Sequence, residues 1–260
     1  MEFRILGAIE VVGDDGEHAA LGGSRSRALL ASLLLQPGLA VSRDSLIRGL
    51  WEVPPASASH AVEVYVSRLR CAVGRGRIRC QGHAYRVEVE PDELDLARFR
   101  AFVVTARCTV AEGDLQRAAE ALARACAVWR GEAVACLNGE PLGADVRGFL
   151  EEERLAAVEL DVDVRLDLGR HDELVPELRM LATAQPTRER LWARLMLALY
   201  RCGRQADALD VFGCVRTRLQ DELGIDPGPE LRMLQRRILE HDACLALPLA
   251  RPGGRPTWLR

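Results

Sequence analysis

Twelve consecutive residues, Ala58-Ser59-His60-Ala61-Val62-Glu63-Val64-Tyr65-Val66-Ser67-Arg68-Leu69, combine an apolar stripe with side chains able to address a nucleic acid. At about 100° per residue, Val62, Val66, Leu69 and Val73 share one face and can anchor a helix to a core. Glu63, Val64, Ser67 and Arg68 fall on or beside the opposite face. A glutamate can accept from cytosine N4 and a valine can meet a thymine methyl, so Glu63 and Val64 are candidates for reading bases. Ser67, Arg68 and Arg70 suit phosphate oxygens. Tyr65, on the flank, belongs to the core or its edge. Behind this helix, Ile78-Arg79-Cys80, Gln81-Gly82-His83 and Ala84-Tyr85-Arg86-Val87 read as strand, turn and strand. Arg79 and His83 on that basic hairpin can reach the DNA backbone or a narrow minor groove. A base-reading helix followed by a basic hairpin is the arrangement of a winged helix-turn-helix. An amphipathic surface helix beside an unrelated hairpin is the plainer alternative for these residues alone.

The residues upstream must position that helix. Glu2-Phe3-Arg4-Ile5-Leu6-Gly7-Ala8-Ile9-Glu10-Val11 alternates and predicts one strand. Asp14-Asp15-Gly16 predicts a turn, and a second short strand ends near Leu21. Gly22-Gly23-Ser24 opens a helix that runs through Leu35 and is stopped by Gln36-Pro37-Gly38. Arg25 and Arg27 stand where that helix begins, and a helix N-terminus approached through two glycines favours a phosphate. Ser42 suits the N-cap of a helix from Arg43 to Trp51, and Pro54-Pro55 forces a loop before the next. Strands, three helices and a closing hairpin make the response-regulator type of winged helix.

Charge is unevenly placed. Residues 20–87 hold ten arginines against Asp44, Glu52 and Glu63, a balance of +7, whereas the whole chain is at −3. The remainder is therefore at −10. A basic module joined to an acidic one suggests nucleic acid for the first and protein for the second. A length of 260 residues predicts two domains. No apolar run reaches the roughly 18 residues of a membrane span, and no basic-then-apolar leader opens the chain, so a cytoplasmic protein without membrane contact is expected. The eight cysteines form no Cys-x-x-Cys pair and no His–Cys cluster at zinc spacing, which predicts buried free thiols and no metal.

Catalytic signatures are missing as well. Gly22-Gly23-Ser24-Arg25-Ser26-Arg27 lacks the Gly-Lys-Ser/Thr ending of a phosphate-binding loop. His18, His60, His83, His171 and His241 do not pair with cysteines or carboxylates at catalytic or metal spacing. No enzyme and no cofactor are expected. The rival to a DNA-binding role is an adaptor whose winged helix binds protein; an activator and a repressor would share the same DNA chemistry.

Asp92-Glu93-Leu94-Asp95-Leu96 ends the first domain, giving residues 1–91 to the winged helix and 92–243 to a helical domain. Three breaks in the second part look alike, at Glu112-Gly113-Asp114, Leu168-Gly169-Arg170 and Cys202-Gly203-Arg204. Each glycine predicts a left-handed cap followed by an antiparallel partner helix. Gly169 and Gly203 are 34 residues apart, the tetratricopeptide period, whereas 56 residues separate Gly113 from Gly169. The excess reads as an insertion carrying Asn138-Gly139-Glu140-Pro141. Stacked repeats offer a concave face for protein segments, and a plain helical bundle is the alternative. Residues 244–260, rich in proline, glycine and arginine from Pro248 onward, read as a disordered tail.

The chain resembles the Streptomyces antibiotic regulatory protein family over roughly residues 2–243. The resemblance rests on Leu6-Gly7-Ala8-Ile9-Glu10-Val11, Arg27-Ala28-Leu29-Leu30-Ala31, Leu50-Trp51 with Pro54-Pro55, and Tyr65-Val66-Ser67-Arg68-Leu69-Arg70. In the second half it rests on Asp95-Leu96-Ala97-Arg98-Phe99, on Leu197-Ala198-Leu199-Tyr200-Arg201-Cys202-Gly203-Arg204-Gln205, and on the run from Glu222 to Leu231. It implies a mostly α protein with a small β component, in which a response-regulator-type winged helix precedes a tetratricopeptide-like bacterial transcriptional activation domain. It further implies a nucleoid-associated activator of a secondary-metabolite (antibiotic) gene cluster, binding direct repeats near the −35 element together with a second copy of itself. RNA polymerase holoenzyme, including sigma factor, would be recruited through the loop of Glu52, Val53 and Pro54. Two features depart from the broader pattern. Ala84 stands before Tyr85 where the family carries glycine, and, with no ATPase or sensor sequence after the helical repeats, the short stand-alone form of the family is expected.

Overall fold

The alternating N-terminal run does not make one strand. In the computed structural model, which describes residues 1–137 and 139–246, it folds back on itself. β1 (Glu2–Arg4) pairs antiparallel with β2 (Glu10–Val12), Glu2 opposite Val12 and Arg4 opposite Glu10. The reversal includes Gly7 at φ +152°, where an added Cβ would come within 3.1 Å of Arg130 Cβ. Periodicity could not show this bend, because Ile5, Leu6 and Ile9 are all buried and preserve an apolar pattern through it. The second strand expected near Leu21 shrinks to a single bridge between Val12 and His18.

From Gly22 onward the elements follow the sequence closely. α1 (Ser24–Leu34) buries Leu29, Leu30, Leu33 and Leu34. β3 (Val41–Ser42) leads into α2 (Arg43–Leu50), whose first turn is capped by Ser42 Oγ accepting from Ser45 N at 3.1 Å. α3 (Ala58–Val73) buries Val62, Val66, Leu69 and Val73, the stripe that the spacing predicts. β4 (Ile78–Gln81) and β5 (Ala84–Val87) form the hairpin, and β3 adds to the other side of β5 in the order β3-β5-β4. The positive φ that the hairpin turn needs falls on Gly82 (+59°), while Ala84 lies within β5. Alanine in place of the family's glycine is therefore accommodated.

The first core does not close at residue 91. A 3₁₀ turn (Pro91–Glu93) leads into α4 (Asp95–Glu112), and Leu94, Leu96 and Phe99 are buried with the winged-helix residues. Asp95, 1% exposed, accepts from the backbone N of Ile5 (2.9 and 2.8 Å) and of Leu6 (2.9 Å), and from Arg130 Nη2 (3.2 Å). Burial pushes its pKa up, while those N–H donors and Arg130 pull it back. α5 (Leu115–Ala127) is followed by the expected insertion, but this segment is not a repeat spacer. Arg130 N donates to Leu6 O (2.8 Å), Val134 N donates to Ile5 O (2.9 Å), and Val134 and Leu137 are fully buried beside α1. Of the insertion's named residues, Asn138 lies outside the described residues. Cα packing divides the chain into two units, residues 1–104 with 123–157, and residues 105–122 with those from 158 onward. This division does not follow the 91/92 junction, because α4, α5 and the strap at 128–142 complete the first core.

The second unit holds the end of α4, most of α5, the rest of α6 (Gly143–Asp167), then α7 (His171–Ala184), α8 (Glu189–Arg201), α9 (Gln205–Leu223) and α10 (Pro229–Leu239). α7 packs on α8 and α8 on α9. All three predicted glycine turns have the same hydrogen-bond pair. Gly113 N donates to Val110 O and Asp114 N to Thr109 O, and the pattern repeats at Gly169–Arg170 and Gly203–Arg204. This is the Schellman cap, with each glycine in the left-handed region. Between α6 and α8, Arg194, 1% exposed, grips Asp163 with Nε and Nη2 at 2.6 and 2.7 Å.

Two expectations need correction. The eight cysteines are free but none is buried, because they occupy the outer faces or ends of their elements; Cys71, Cys80, Cys108, Cys214 and Cys244 are exposed. The tail does not begin at 244. Ala243–Leu245 forms a 3₁₀ turn with Leu245 fully buried, its carbonyl accepting from Arg201 Nε at 2.9 Å, since a leucine beside an open helical core gains by covering it. The expected disorder from Pro248 onward lies outside the described residues.

Candidate nucleic-acid interface

Anchoring α3 by its valine and leucine stripe leaves His60, Glu63, Ser67 and Arg68 exposed, with Val64 and Tyr65 half-buried on its flanks. Tyr65 stacks on Trp51, ring centroids 6.4 Å apart, so it supports the helix from the edge of the core as expected. Ser67 stands one turn after Glu63, which places both on the same outer stripe. Arg68 lies beside them with no ion-pair partner among the described residues.

Glu63 is not a free acceptor. Arg43 Nη1 lies 3.0 Å from its Oε1, and His60 Nδ1 lies 4.0 Å from its Oε2. Arg43 opens α2, and its backbone N donates to His83 O at 2.8 Å. One residue thus ties the start of α2 to the outer face of α3 and to the wing turn. Sequence reasoning missed Arg43, although an arginine directly after a serine N-cap is an available signal for a side chain beside the next helix.

The wing arginines divide by partner. Arg70 is half-buried, and its Nε donates to Ile78 O at 2.9 Å, bracing β4 against α3; its Nη groups alone remain for phosphate. Arg77 forms a fork with both oxygens of Glu93 and lies 6.0 Å from the centre of the Phe3 ring, so it belongs to the fold. Arg79 is 59% exposed and pairs with Glu88 at 2.9 Å, a carboxylate that also takes Arg86. Exposed pairs of this kind contribute about 0–1 kcal/mol, so a phosphate can replace Glu88 at little cost. His83 is exposed at the wing tip, and Arg75 is exposed before β4.

At the first helix the structure separates the two predicted arginines. Arg25 lies 5.3 Å from the Trp51 ring centre, whereas the charge of Arg27 bears on Cys136 in the strap. Two residues on a helix stand about 200° apart, so they cannot grip one phosphate run together. Arg25 is the member beside the loop that follows Trp51. In that loop Glu52, Val53 and Pro54 are all exposed, Val53 by 83%. The assembly is a rigid helix face with two hydroxyl or guanidinium donors, one carboxylate, and arginines on a flanking hairpin. It can hold a polyanionic groove and discriminate within it.

Residues 94–239 match the family described as bacterial transcriptional activator domain, and residues 17–80 match the family described as transcriptional regulatory protein, C terminal. Regulatory protein AfsR of Streptomyces coelicolor is 44% identical over 248 residues, which are 95% of this chain and 25% of that protein. The chain thus spans about a quarter of the AfsR relatives it matches. Regulatory protein DnrI of Streptomyces peucetius is 32% identical over 255 residues, 93% of each chain. Among solved structures, Mycobacterium tuberculosis EmbR in complex with a low affinity phosphopeptide superposes with a TM-score of 0.88 at 33% identity, over 92% of this chain and 65% of that one.

Proposed function

We propose, because this chain belongs to the Streptomyces antibiotic regulatory protein family of transcriptional regulators, that it is a sequence-specific DNA-binding activator of a secondary-metabolite gene cluster. The observation that carries the proposal is the exposed stripe of Glu63, Ser67 and Arg68 on a helix fixed by its opposite face. α3 enters the major groove, Glu63 and Val64 address base edges, and Ser67 and Arg68 hold the adjoining phosphates. Arg79 and His83 follow the neighbouring backbone or minor groove, Arg70 contributes its Nη groups, and Arg25 covers the backbone at the start of α1. Arg27, on the other side of α1, has the weakest geometric support.

The partners follow from the same reading. Direct repeats near the −35 element would seat two copies on one side of the duplex, about one helical turn apart. The loop of Glu52, Val53 and Pro54 would then face RNA polymerase holoenzyme, its sigma factor included. The site of action is the cytoplasmic nucleoid; no helix among the described residues is long and apolar enough to cross a membrane. Footprinting on the promoters of adjacent biosynthetic genes, paired with run-off transcription by purified polymerase, tests the proposal. Protection of spaced direct repeats with increased transcript is the expected result. Binding without sequence preference, or protection with reduced transcript, would reject it.

A further inference from the structure

His171, Asp172 and Cys202 bring an imidazole, a carboxylate and a thiol together in the second unit, with ligand atoms all within 4.8 Å of one another. The sequence hides this group, because 30 residues separate Asp172 from Cys202 and no short metal-binding spacing results. The 34-residue repeat explains the meeting. It sets the Gly203 turn beside the Gly169 turn, so that Cys202, the C-cap of α8, approaches the first turn of α7.

We propose that these three side chains bind one divalent zinc-type ion, with water in a fourth position. Thiolate sulfur, imidazole nitrogen and carboxylate oxygen are the three donor types that zinc takes, and their mixture disfavours magnesium or calcium. His171 Nδ1 is inaccessible to solvent and has no hydrogen-bond partner, so an ion held through it would supply what the fold does not. The arginines on these turns pair with other side chains, although the charge of Arg204 also bears on Cys202. Arg170 donates to Gln116 at 2.9 Å and Arg204 to Asp207 at 2.6 Å, and Asp172 has no ion-pair partner among the described residues.

Tetrahedral bonds of about 2.0–2.3 Å place ligand atoms roughly 3.3–3.8 Å apart. No pair of donors need therefore draw in by more than about 1.5 Å, which side-chain rotation at partly exposed positions can supply. Binding converts the Cys202 thiol to a thiolate and releases its proton to solvent; no electron moves. The bound ion links the α6–α7 turn to the α8–α9 turn and stiffens the stacked hairpins.

Cobalt(II) added to the full-length protein tests the assignment. One equivalent is expected to give a thiolate-to-cobalt charge-transfer band with the intense visible bands of four-coordinate cobalt, and zinc(II) should displace both. C202S should lose the charge-transfer band, and H171Q should weaken zinc binding at least tenfold. C244S, which alters an exposed thiol elsewhere, should behave as wild type. Zinc should raise the melting temperature of wild type and of C244S but not of C202S. Wild-type bands retained in C202S, bands lost equally in C244S, or no charge-transfer band in the wild type would each overturn the site. H171Q keeps the test decisive if C202S fails to fold.

Discussion

Glu63 is a carboxylate already held by Arg43, yet it stands where a base-reading acceptor is wanted. Its two possible duties separate experimentally. If it reads cytosine, Glu63→Ala should relax specificity by about 1–3 kcal/mol at a single base pair and leave random-sequence binding nearly unchanged. Equal losses on specific and random DNA would mean that it only positions Arg43. Arg79 presents the converse case, a cation whose exposed partner is readily exchanged for phosphate. Arg79→Ala should weaken binding and lower the slope of log affinity against log salt by about 0.9, one phosphate contact. An unaltered slope would remove Arg79 from the footprint and leave it as Glu88's partner in the free wing. These side chains were legible as candidates from residue type and helical phase. Their pairings were not, since Arg43 and Glu88 reach them from outside α3 and β4 through contacts that no local pattern records.

At the scale of elements, the loop between α2 and α3 and the α6–α8 contact make opposite demands. Glu52 and Val53 are exposed, touch no core, and can change without cost to the fold. The double variant Glu52→Ala, Val53→Ala should bind promoter DNA normally and activate poorly in run-off transcription. Full activation would move the polymerase contact elsewhere. Arg194, by contrast, is buried and holds Asp163, with Glu159 beside it at 3.8 Å. Arg194→Met leaves the half-buried Asp163 without its arginine and should cost about 3 kcal/mol in urea unfolding. Pairing it with Asp163→Leu should recover most of that loss; no recovery would show that packing, not charge, is what Arg194 supplies. The helices were legible because capping serines, glycine turns and 3.6-residue periodicity are local signals. The N-terminal hairpin and the strap were not, because a buried bend keeps its apolar pattern, and Val134 finds its partner at Ile5, far away in sequence.

For the whole molecule, the lesson lies in where the first core ends. Residues 1–91 omit Leu94, Leu96, Phe99, Val134 and Leu137, and they leave the Ile5 and Leu6 N–H groups without Asp95. A fragment ending at residue 91 should therefore lose its cooperative melting transition and bind promoter DNA at least tenfold more weakly than the full chain, as calorimetry and gel shift would record. A sharp transition in that fragment, with wild-type single-site affinity, would restore the winged helix as an independent domain. The charge asymmetry read from the sequence does not depend on this boundary, since the basic run at 20–87 lies wholly inside the first unit. The buried joint at Ile5, Leu6, Asp95, Arg130 and Val134 also limits how such regulators can diversify. Recombination at the end of the wing would marry an N-terminal loop from one parent to an aspartate and a strap from another. A crossover there succeeds only when both parents share the joint. If α3 reads DNA as proposed, promoter choice is inherited with residues far downstream of it, and new specificities should arise more readily by point change on α3 than by exchange of whole halves.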